Sequence, residues 1–308
     1  MWTGIKLIPD HTKIDFIGTR YIGFAVTAVM IIASIFLLAT KGLNYGIDFT
    51  GGTLIEIATE QTPELASLRE DLNNLDLGEI SIQEFGAPNN LLIRVPAQDS
   101  ADPAVQKAAV DKVKAGIETD YQNVDYRRVE FVGPQVGQEL KVKGLIAVVA
   151  AIVGIMAYVW FRFEWQFGVA AVVTLAHDVF AVLGFMAIMG RSFDLTSLAA
   201  LLMVAGFSIN DTVVIFDRIR EMMRKYRKKP MGEICNLAIN DTLSRTVMTS
   251  LVTLLSLVAL AVFGGEVISG FTEALLFGFL VGTYSSIYVA SAILLHLGLR
   301  PAFEEKPA

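Results

Sequence analysis

Long apolar runs dominate this chain, and their lengths predict a membrane protein. About twenty apolar residues cross a hydrocarbon core of roughly 30 Å as one α-helix. Six windows of the sequence meet this requirement: 21–40, 144–161, 168–189, 195–216, 246–263 and 274–295. Four of them contain no charged residue and no histidine. The pattern predicts an α-helical polytopic membrane protein with six transmembrane helices.

The connection between the first two windows, 41–143, has a different pattern. Its periodicities predict a strand at 53–59, a helix, two strands, a second helix and a strand at about 123–132. Thr62 before Pro63 is a plausible start for the first helix, and Asp102 before Pro103 opens the second. This order is that of the split βαβ, ferredoxin-like fold. We therefore expect a small α+β ferredoxin-like domain without a catalytic cluster.

Composition supports this division. Of 308 residues, 54% are hydrophobic and 18% are charged, against about 25% charged in soluble domains. Residues 44–140 hold 17 acidic and 7 basic side chains, so the acidic charge is concentrated in the predicted aqueous domain. A single cysteine, Cys235, excludes an internal disulfide framework and a multi-cysteine metal site. No basic patch suited to nucleic acid appears, and an ordinary soluble enzyme is not expected.

Basic residues predict the orientation, because lysine and arginine in short loops mark the cytoplasmic side. The connection 217–242 carries seven of them: Arg218, Arg220, Arg224, Lys225, Arg227, Lys228 and Lys229. With this loop in the cytoplasm, the N-terminus (1–20) and the C-terminus (299–308) are cytoplasmic too. The domain at 41–143 then lies in the periplasm. The sequence predicts a multi-pass protein of the bacterial cytoplasmic (inner) membrane.

A few ionisable residues stand inside the apolar windows, where a charge costs about 2.5–3.5 kcal/mol. His177 and Asp178 lie near the centre of the third window, and Asp211 lies in the fourth. Arg245 stands at the cytoplasmic end of the fifth, at a depth that lets it pair with Asp211. An aspartate beside a fixed arginine suits a proton relay, since a helix shift can withdraw the arginine and favour proton uptake. The predicted relay residues are Asp211, Arg245, Asp178 and His177.

Other polar residues are expected to support this relay: Asn210, Ser208 and Thr249. Thr249 belongs to one helical face with Arg245, formed by Thr242, Arg245, Thr249, Thr253 and Ser256. A polar face on an apolar helix is expected to point into the bundle. Two alternatives stay open: a fixed structural ion pair between Asp211 and Arg245, and a hydrogen-bonded His177–Asp178 pair that only joins helices.

Several motifs occur in order along the chain. They are Gly46-Ile47-Asp48-Phe49-Thr50-Gly51-Gly52, Val132-Gly133-Pro134-Gln135-Val136-Gly137, Ala176-His177-Asp178, Gly206-Phe207-Ser208-Ile209-Asn210-Asp211-Thr212, and Ser244-Arg245-Thr246. Together they resemble the SecD/SecF family, over about residues 40–298. The Asn-Asp and His-Asp pairs and the single small domain resemble its SecF branch. Asp48, Gly51 and Gly52 belong to the family-signature turn.

The resemblance implies one six-helix half of a transporter of the RND permease superfamily. It implies pairing with SecD at the SecYEG translocon, with YajC as a possible further partner, and contact with lipid and with unfolded exported polypeptide. The implied role is to use the proton gradient in late steps of export, with the proton as coupling ion and no other cofactor. The family's essential intramembrane charges map onto Asp211 and Arg245. An acidic residue that some members carry in the last span has no match here.

Three other functions compete with this one. A scaffold without proton chemistry is the main rival. A proton-coupled small-molecule RND transporter would share the fold, but the single domain of about 100 residues is small for a substrate pocket. An intramembrane protease would need a catalytic constellation around Asp178 and Asp211 or around Ser208, and the flanking residues do not supply one.

Overall fold

The computed structural model describes residue 9, residues 12–98 and residues 102–299. Most of the predicted cytoplasmic termini, 1–8, 10–11 and 300–308, lie outside the described residues. In chain order the elements are α1 (Arg20–Thr40), β1 (Asn44–Tyr45), α2 (Ile47–Thr50), β2 (Gly52–Ala58), α3 (Leu65–Asn73), β3 (Ser81–Phe85), β4 (Ala87–Val95), α4 (Pro103–Asp120), β5 (Asp125–Val132), α5 (Pro134–Arg162), α6 (Trp165–Met189), β6 (Ser192–Phe193), α7 (Leu195–Lys225), α8 (Met231–Phe263), α9 (Ser269–Ser285) and α10 (Ser291–His296). A 3-10 turn, Glu266–Ile268, precedes α9, and a π-helical turn, Ser286–Ala290, joins α9 to α10.

The chain divides into two compact units. The sheet unit comprises Asn44–Ala147 together with Ser192–Leu195. The helical unit comprises the described residues up to Leu43, Val148–Arg191 and the described residues from Thr196 onward. A continuous helix therefore passes from the sheet unit into the helical unit at α5 and again at the start of α7.

Six helices in the described part of the chain are long and apolar enough to cross a membrane. They are α1, α5, α6, α7, α8 and the continuous run Ser269–His296 formed by α9, the π turn and α10. Each predicted window falls in a different one of these helices, so the six-helix architecture is confirmed. The run Ser269–His296 is the most enclosed of the six, whereas α1, α5 and α8 leave most of their apolar surface open.

The prediction that 217–242 is a loop is wrong. Helix α7 continues to Lys225 and α8 begins at Met231, so only 226–230 is non-helical. Arginine, lysine, glutamate and methionine are good helix formers, so polarity ends the apolar window without ending the helix. Arg218 also joins the two helix ends through Asp241 at 2.6 Å and contacts Glu221.

The sheet unit has the predicted ferredoxin-like topology. Its four strands lie in the order β3-β4-β2-β5, and every neighbouring pair is antiparallel. Helices α3 and α4 supply the other half of the core. Its fully buried side chains include Ile55, Ile57, Leu68, Leu72, Leu91, Ile93, Val113 and Ile117.

The start of α3 differs from the prediction. The helix begins at Leu65, after Glu64 with φ −78° and ψ 104°, not at Pro63 after Thr62. The extended backbone of Glu64 prevents an earlier helical turn. Asp102 does open α4, because its carboxylate accepts a hydrogen bond from the Ala104 amide at 2.9 Å.

Close packing of small residues joins α7 to α9. A side chain added at Gly278 would collide with Val204, and a Cβ at Gly282 would lie 3.1 Å from the Cβ of Ser208. Gly278 and Gly282, in a Gly-x-x-x-Gly spacing, therefore form a packing face. This close approach brings Ser285 and Ser286, one turn further on, against the polar residues of α6 and α7.

Candidate functional site: a buried polar cluster of three helices

Asp178 lies at the centre of a polar cluster contributed by α6, α7 and α9. Its side chain has no exposed surface. Oδ1 is 2.9 Å from Nδ1 of His177, and Oδ2 accepts hydrogen bonds from Oγ of Ser285 at 2.9 Å and from Oγ of Ser208. Hydrogen bonds to a carboxylate stabilise its charged form. The three contacts occupy both oxygens of the buried carboxylate, and they tie three helices together.

Only one of the two ring nitrogens of His177 has a hydrogen-bond partner among the described residues. The residue is 3% exposed, and its Nδ1 faces Asp178. Nε2 is buried and has no hydrogen-bond partner among the described residues. The nearest ring is Tyr284 at 6.5 Å between centroids, and the Tyr284 hydroxyl donates instead to the Gly23 carbonyl at 2.6 Å. When Nδ1 donates its proton to Asp178, Nε2 carries an unused lone pair that can accept a proton.

Asp211 lies nearly one helical turn beyond Ser208 on α7 and is 3% exposed. Its Oδ2 is buried without a hydrogen-bond partner. The next residue, Thr212, is hydrogen-bonded at 2.9 Å to Ser286, whose hydroxyl also donates to the Ser208 and Gly282 carbonyls. A buried carboxylate oxygen without a donor is costly when charged. Asp211 is thus far less supported than Asp178.

Arg245, on α8, is the charged residue that the sequence predicts to pair with Asp211. No ion pair joins the two side chains in the described part of the chain, and the Arg245 residue is exposed. The fixed structural ion pair that the sequence left open is therefore not formed. The arginine therefore does not neutralise the Asp211 carboxylate by contact.

The predicted inward direction of the polar face on α8 is correct for Thr242 but wrong for most of the face. Arg245, Thr249 and Ser256 are exposed, as is Asn210 on α7. The polar residues that α8 turns inward are Thr242, Thr246 and Ser250, and Ser250 is hydrogen-bonded to Thr283 at 2.8 Å. The reason is geometric: Thr246 and Ser250 lie one residue further along the helix, about 100° around its axis. The face that contains Arg245 and Thr249 is left open.

The structure thus brings together three predicted residues, His177, Asp178 and Ser208, and places Asp211 nearly one helical turn beyond Ser208. Asn210 and Thr249 lie on the open face. Sequence reasoning missed Thr212, Ser285 and Ser286. Two adjacent serines in an otherwise apolar window were a usable signal, and the structure adds a π-helical turn at that point. Such turns occur frequently at functional sites.

The family-signature turn lies apart from this cluster, in the sheet unit. Asp48 belongs to the short helix α2, and Gly51 and Gly52 follow it with φ of +72° and +118°. These are conformations that glycine adopts far more readily than other residues. Among the described residues, no group of three His, Cys, Asp or Glu is placed to hold a metal ion.

Comparison with known proteins gives consistent matches along the chain. A family model described as protein export membrane protein SecD/SecF, C-terminal, matches residues 112–300, and a model of the SecD/SecF GG motif matches residues 36–63. The protein translocase subunit SecF of Cereibacter sphaeroides is 44% identical over 301 residues, covering 96% of this chain and 93% of that protein. SecF of Rickettsia bellii is 41% identical, covering 94% of this chain and 95% of that protein.

Solved structures agree. The crystal structure of SecDF from Thermus thermophilus, called a translocon-associated membrane protein, is similar with a TM-score of 0.84 and 36% identity. SecDF in a super-membrane-facing form is similar with a TM-score of 0.69 and 36% identity. Each comparison covers 97% of this chain and 40% of the other, so this chain spans about two fifths of the SecDF length. The resemblance drawn from the motifs is confirmed.

Proposed function

We propose, from the premise that this chain belongs to the SecF branch of the SecD/SecF family of protein export membrane proteins, that it couples proton movement to polypeptide export. In this proposal the chain is a multi-pass subunit of the bacterial inner membrane with no enzymatic activity. It pairs with SecD, and the pair works at the SecYEG translocon, with YajC as a further candidate partner. The proton gradient drives late steps in which exported, unfolded polypeptide is moved outward.

One observation supports the proton coupling: the Asp211 carboxylate is buried with one oxygen unpartnered, and no ion pair joins it to Arg245 among the described residues. Such a carboxylate can change between its charged and its protonated form. With the arginine near, the charged form is favoured; when a helix shift withdraws the arginine, burial favours proton uptake. One charge crossing 100 mV gains about 2.3 kcal/mol, which is enough to bias a conformational change.

The Asp178 cluster has a different part in this proposal. Asp178 is hydrogen-bonded to three neighbours and holds the cluster together, and the Nε2 of His177 beside it has no hydrogen-bond partner among the described residues. Ser208 connects the cluster to Asp211 through one turn of α7. Protonation of Asp211 can therefore alter how α7 sits against α6 and α9.

A partner half explains the open polar face. Asn210, Arg245 and Thr249 are exposed on helices that are otherwise apolar, and polar side chains facing lipid are unfavourable. The RND-type arrangement supplies a second six-helix half to cover them, and SecD is the partner that the family offers. The domain at 41–143 faces the periplasm in this arrangement, in agreement with the basic residues between α7 and α8.

Asp211→Asn tests the proposal, because it nearly preserves side-chain shape and removes titration. The variant is co-expressed with SecD, and two quantities are measured in the same membranes: recovery of the complex, and export of a secreted precursor with and without the proton gradient. We expect normal assembly and loss of the gradient-dependent part of export.

Asp217→Asn is the matched control, since it makes the same chemical change on the same helix at a half-buried residue paired with Arg162 at 3.0 Å. It should leave gradient-dependent export intact. If Asp211→Asn assembles and exports normally, the proton relay is wrong and a scaffold without proton coupling is the better account. If only Asp211→Asn prevents assembly, Asp211 is structural and the relay assignment fails.

A further inference from the structure

The signature turn at 46–52 is not used by the proton relay, yet it is tightly built. Ile47 and Phe49 of α2 are each 6% exposed. The ring of Phe49 stacks on Phe193 at 5.8 Å between centroids, and Tyr45 packs edge-on against both rings. The turn is therefore anchored by aromatic packing to the segment 192–195, which belongs to the same unit.

Asp48 connects this turn to the start of α7. Its Oδ2 accepts a hydrogen bond at 3.0 Å from the amide of Leu195, the first residue of that helix. A carboxylate at this position satisfies an amide that has no partner within the helix, and its charge is favourable at the positive end of the helix dipole. Any axial movement of α7 must carry this amide with it, so the hydrogen bond connects such movement to Asp48.

Gly51 connects the same turn to the start of α5. A Cβ on Gly51 would lie 2.9 Å from the Cα of Pro134, and a Cβ on Gly137 would lie 2.8 Å from the Gly51 amide nitrogen. The two backbones are therefore in direct contact over the first turn of α5. On its other side, Gly52 leaves no room for a side chain beside the Val95 carbonyl of β4.

Arg94 of β4 strengthens this connection. Its guanidinium donates to Oδ1 of Asn44 at 2.6 Å and to Oγ of Ser192, so it binds both strands of the β1–β6 pair. Burial lowers the pKa of Arg94, and the charge of Asp194 opposes that effect. All these contacts lie within the sheet unit.

We propose that Asp48 is a positioning residue that transmits displacement of α7, the helix carrying Asp211, to the sheet of the sheet unit. This inference rests on the proposed proton coupling. The path runs from Asp211 along α7 to the Leu195 amide, then to the Asp48 carboxylate. From there the rigid turn 46–52 leads into β2.

The test measures whether the sheet unit responds to neutralisation of Asp211. Spin labels on cysteines at two exposed positions, Ala66 on α3 and Lys228 between α7 and α8, report a distance distribution by pulsed electron resonance. Cys235 is buried and is replaced by serine in all variants. The full complex with SecD is compared with and without Asp211→Asn. We expect this substitution to shift the distribution, and the shift to be lost when Asp48→Ala is also present.

Two control backgrounds separate transmission from general damage. Asp48→Asn keeps an oxygen that can accept from the Leu195 amide and should retain the shift. Asp125→Ala, which removes an exposed carboxylate of β5 in the same unit, should also retain it. A merely structural role for Asp48 would change the starting distribution but preserve the response to Asp211→Asn, and that result would overturn the inference. If Asp211→Asn causes no shift with Asp48 intact, both the proposed function and this inference are wrong.

Discussion

Asp178 illustrates how much support one buried carboxylate requires in an apolar helix. Burying an isolated carboxylate would cost several kcal/mol. Hydrogen bonds from three neighbouring side chains, on three helices, offset that cost. Asp211, nearby on α7, lacks such support on one oxygen. This contrast, more than either residue alone, separates a structural carboxylate from one suited to change its charge.

Ser285→Ala tests the support of Asp178. It removes one donor to the buried carboxylate, and a hydrogen bond to a charged group contributes about 1.5–3 kcal/mol. We expect a clear fall in the thermal unfolding midpoint of the purified protein. Ser291→Ala is a matched control, because Ser291 is equally buried in the same membrane span but its hydroxyl has no partner among the described residues. If the two variants are equally stable, the Ser285–Asp178 bond contributes nothing.

The sequence pointed to His177, Asp178 and Asp211 because charge is rare in apolar windows. It did not identify Ser285 and Ser286 as functional residues equally clearly. Serine is tolerated in membrane helices, where its hydroxyl can bond to a carbonyl one turn earlier, as Ser256 does to Val252. Only the close approach of α7 and α9 at Gly282 shows which serines face the carboxylates.

At the scale of elements, the segment before α1 is more ordered than its position near a terminus suggests. Asn240 on α8 accepts from the Ile14 amide at 2.9 Å and donates to the Ile14 carbonyl at 2.8 Å. One turn earlier, Asn236 accepts from the Ile17 amide and donates to Asp15. Hydrogen bonds from the Gly18 amide and from Asn236 lower the pKa of Asp15, so its carboxylate stays charged until the solution is strongly acidic.

Asn240→Ala should release this segment locally. Because it removes two hydrogen bonds and each contributes about 1 kcal/mol, we expect exchange of the Ile14 amide proton to become at least about fivefold faster. Hydrogen–deuterium exchange with single-residue fragmentation measures this rate. Asn236→Ala is the complementary control and should accelerate Ile17 more than Ile14. Equal, unchanged rates at both amides would show that the asparagines do not hold the segment.

Element types were predictable here, but several boundaries were not. The apolar windows predicted six helices because membrane helices must satisfy their own backbone hydrogen bonds over a fixed thickness. The extension of α7 to Lys225 and the start of α5 at Pro134 lie outside that thickness, where hydropathy gives no signal. The two-residue pairing of β1 with β6 joins segments about 150 positions apart and has no local pattern at all.

At the scale of the whole molecule, two kinds of open surface must be distinguished. Helix α1 exposes apolar residues such as Val29, which suits contact with lipid. The face bearing Asn210, Arg245 and Thr249 exposes polar and charged groups on membrane helices. The sequence predicted that the polar face of α8 points into the bundle, but in the single chain Arg245 and Thr249 are exposed. The sequence of one chain indicates that a polar helix face must be buried against protein, but it does not show which chain buries it.

A photo-crosslinking amino acid at Thr249 tests this view, because it reacts with whatever lies against the side chain, lipid or protein. We expect crosslinks to SecD when the two subunits are co-expressed, since the polar face would otherwise remain in lipid. The same substitution at Val29, equally exposed but on an apolar face, should give few or none. Gel mobility of the crosslinked product, with antibodies to both subunits, measures the outcome.

If the complex is recovered and Thr249 does not crosslink to SecD, another element of this chain makes the contact. The open polar face would then need a different occupant.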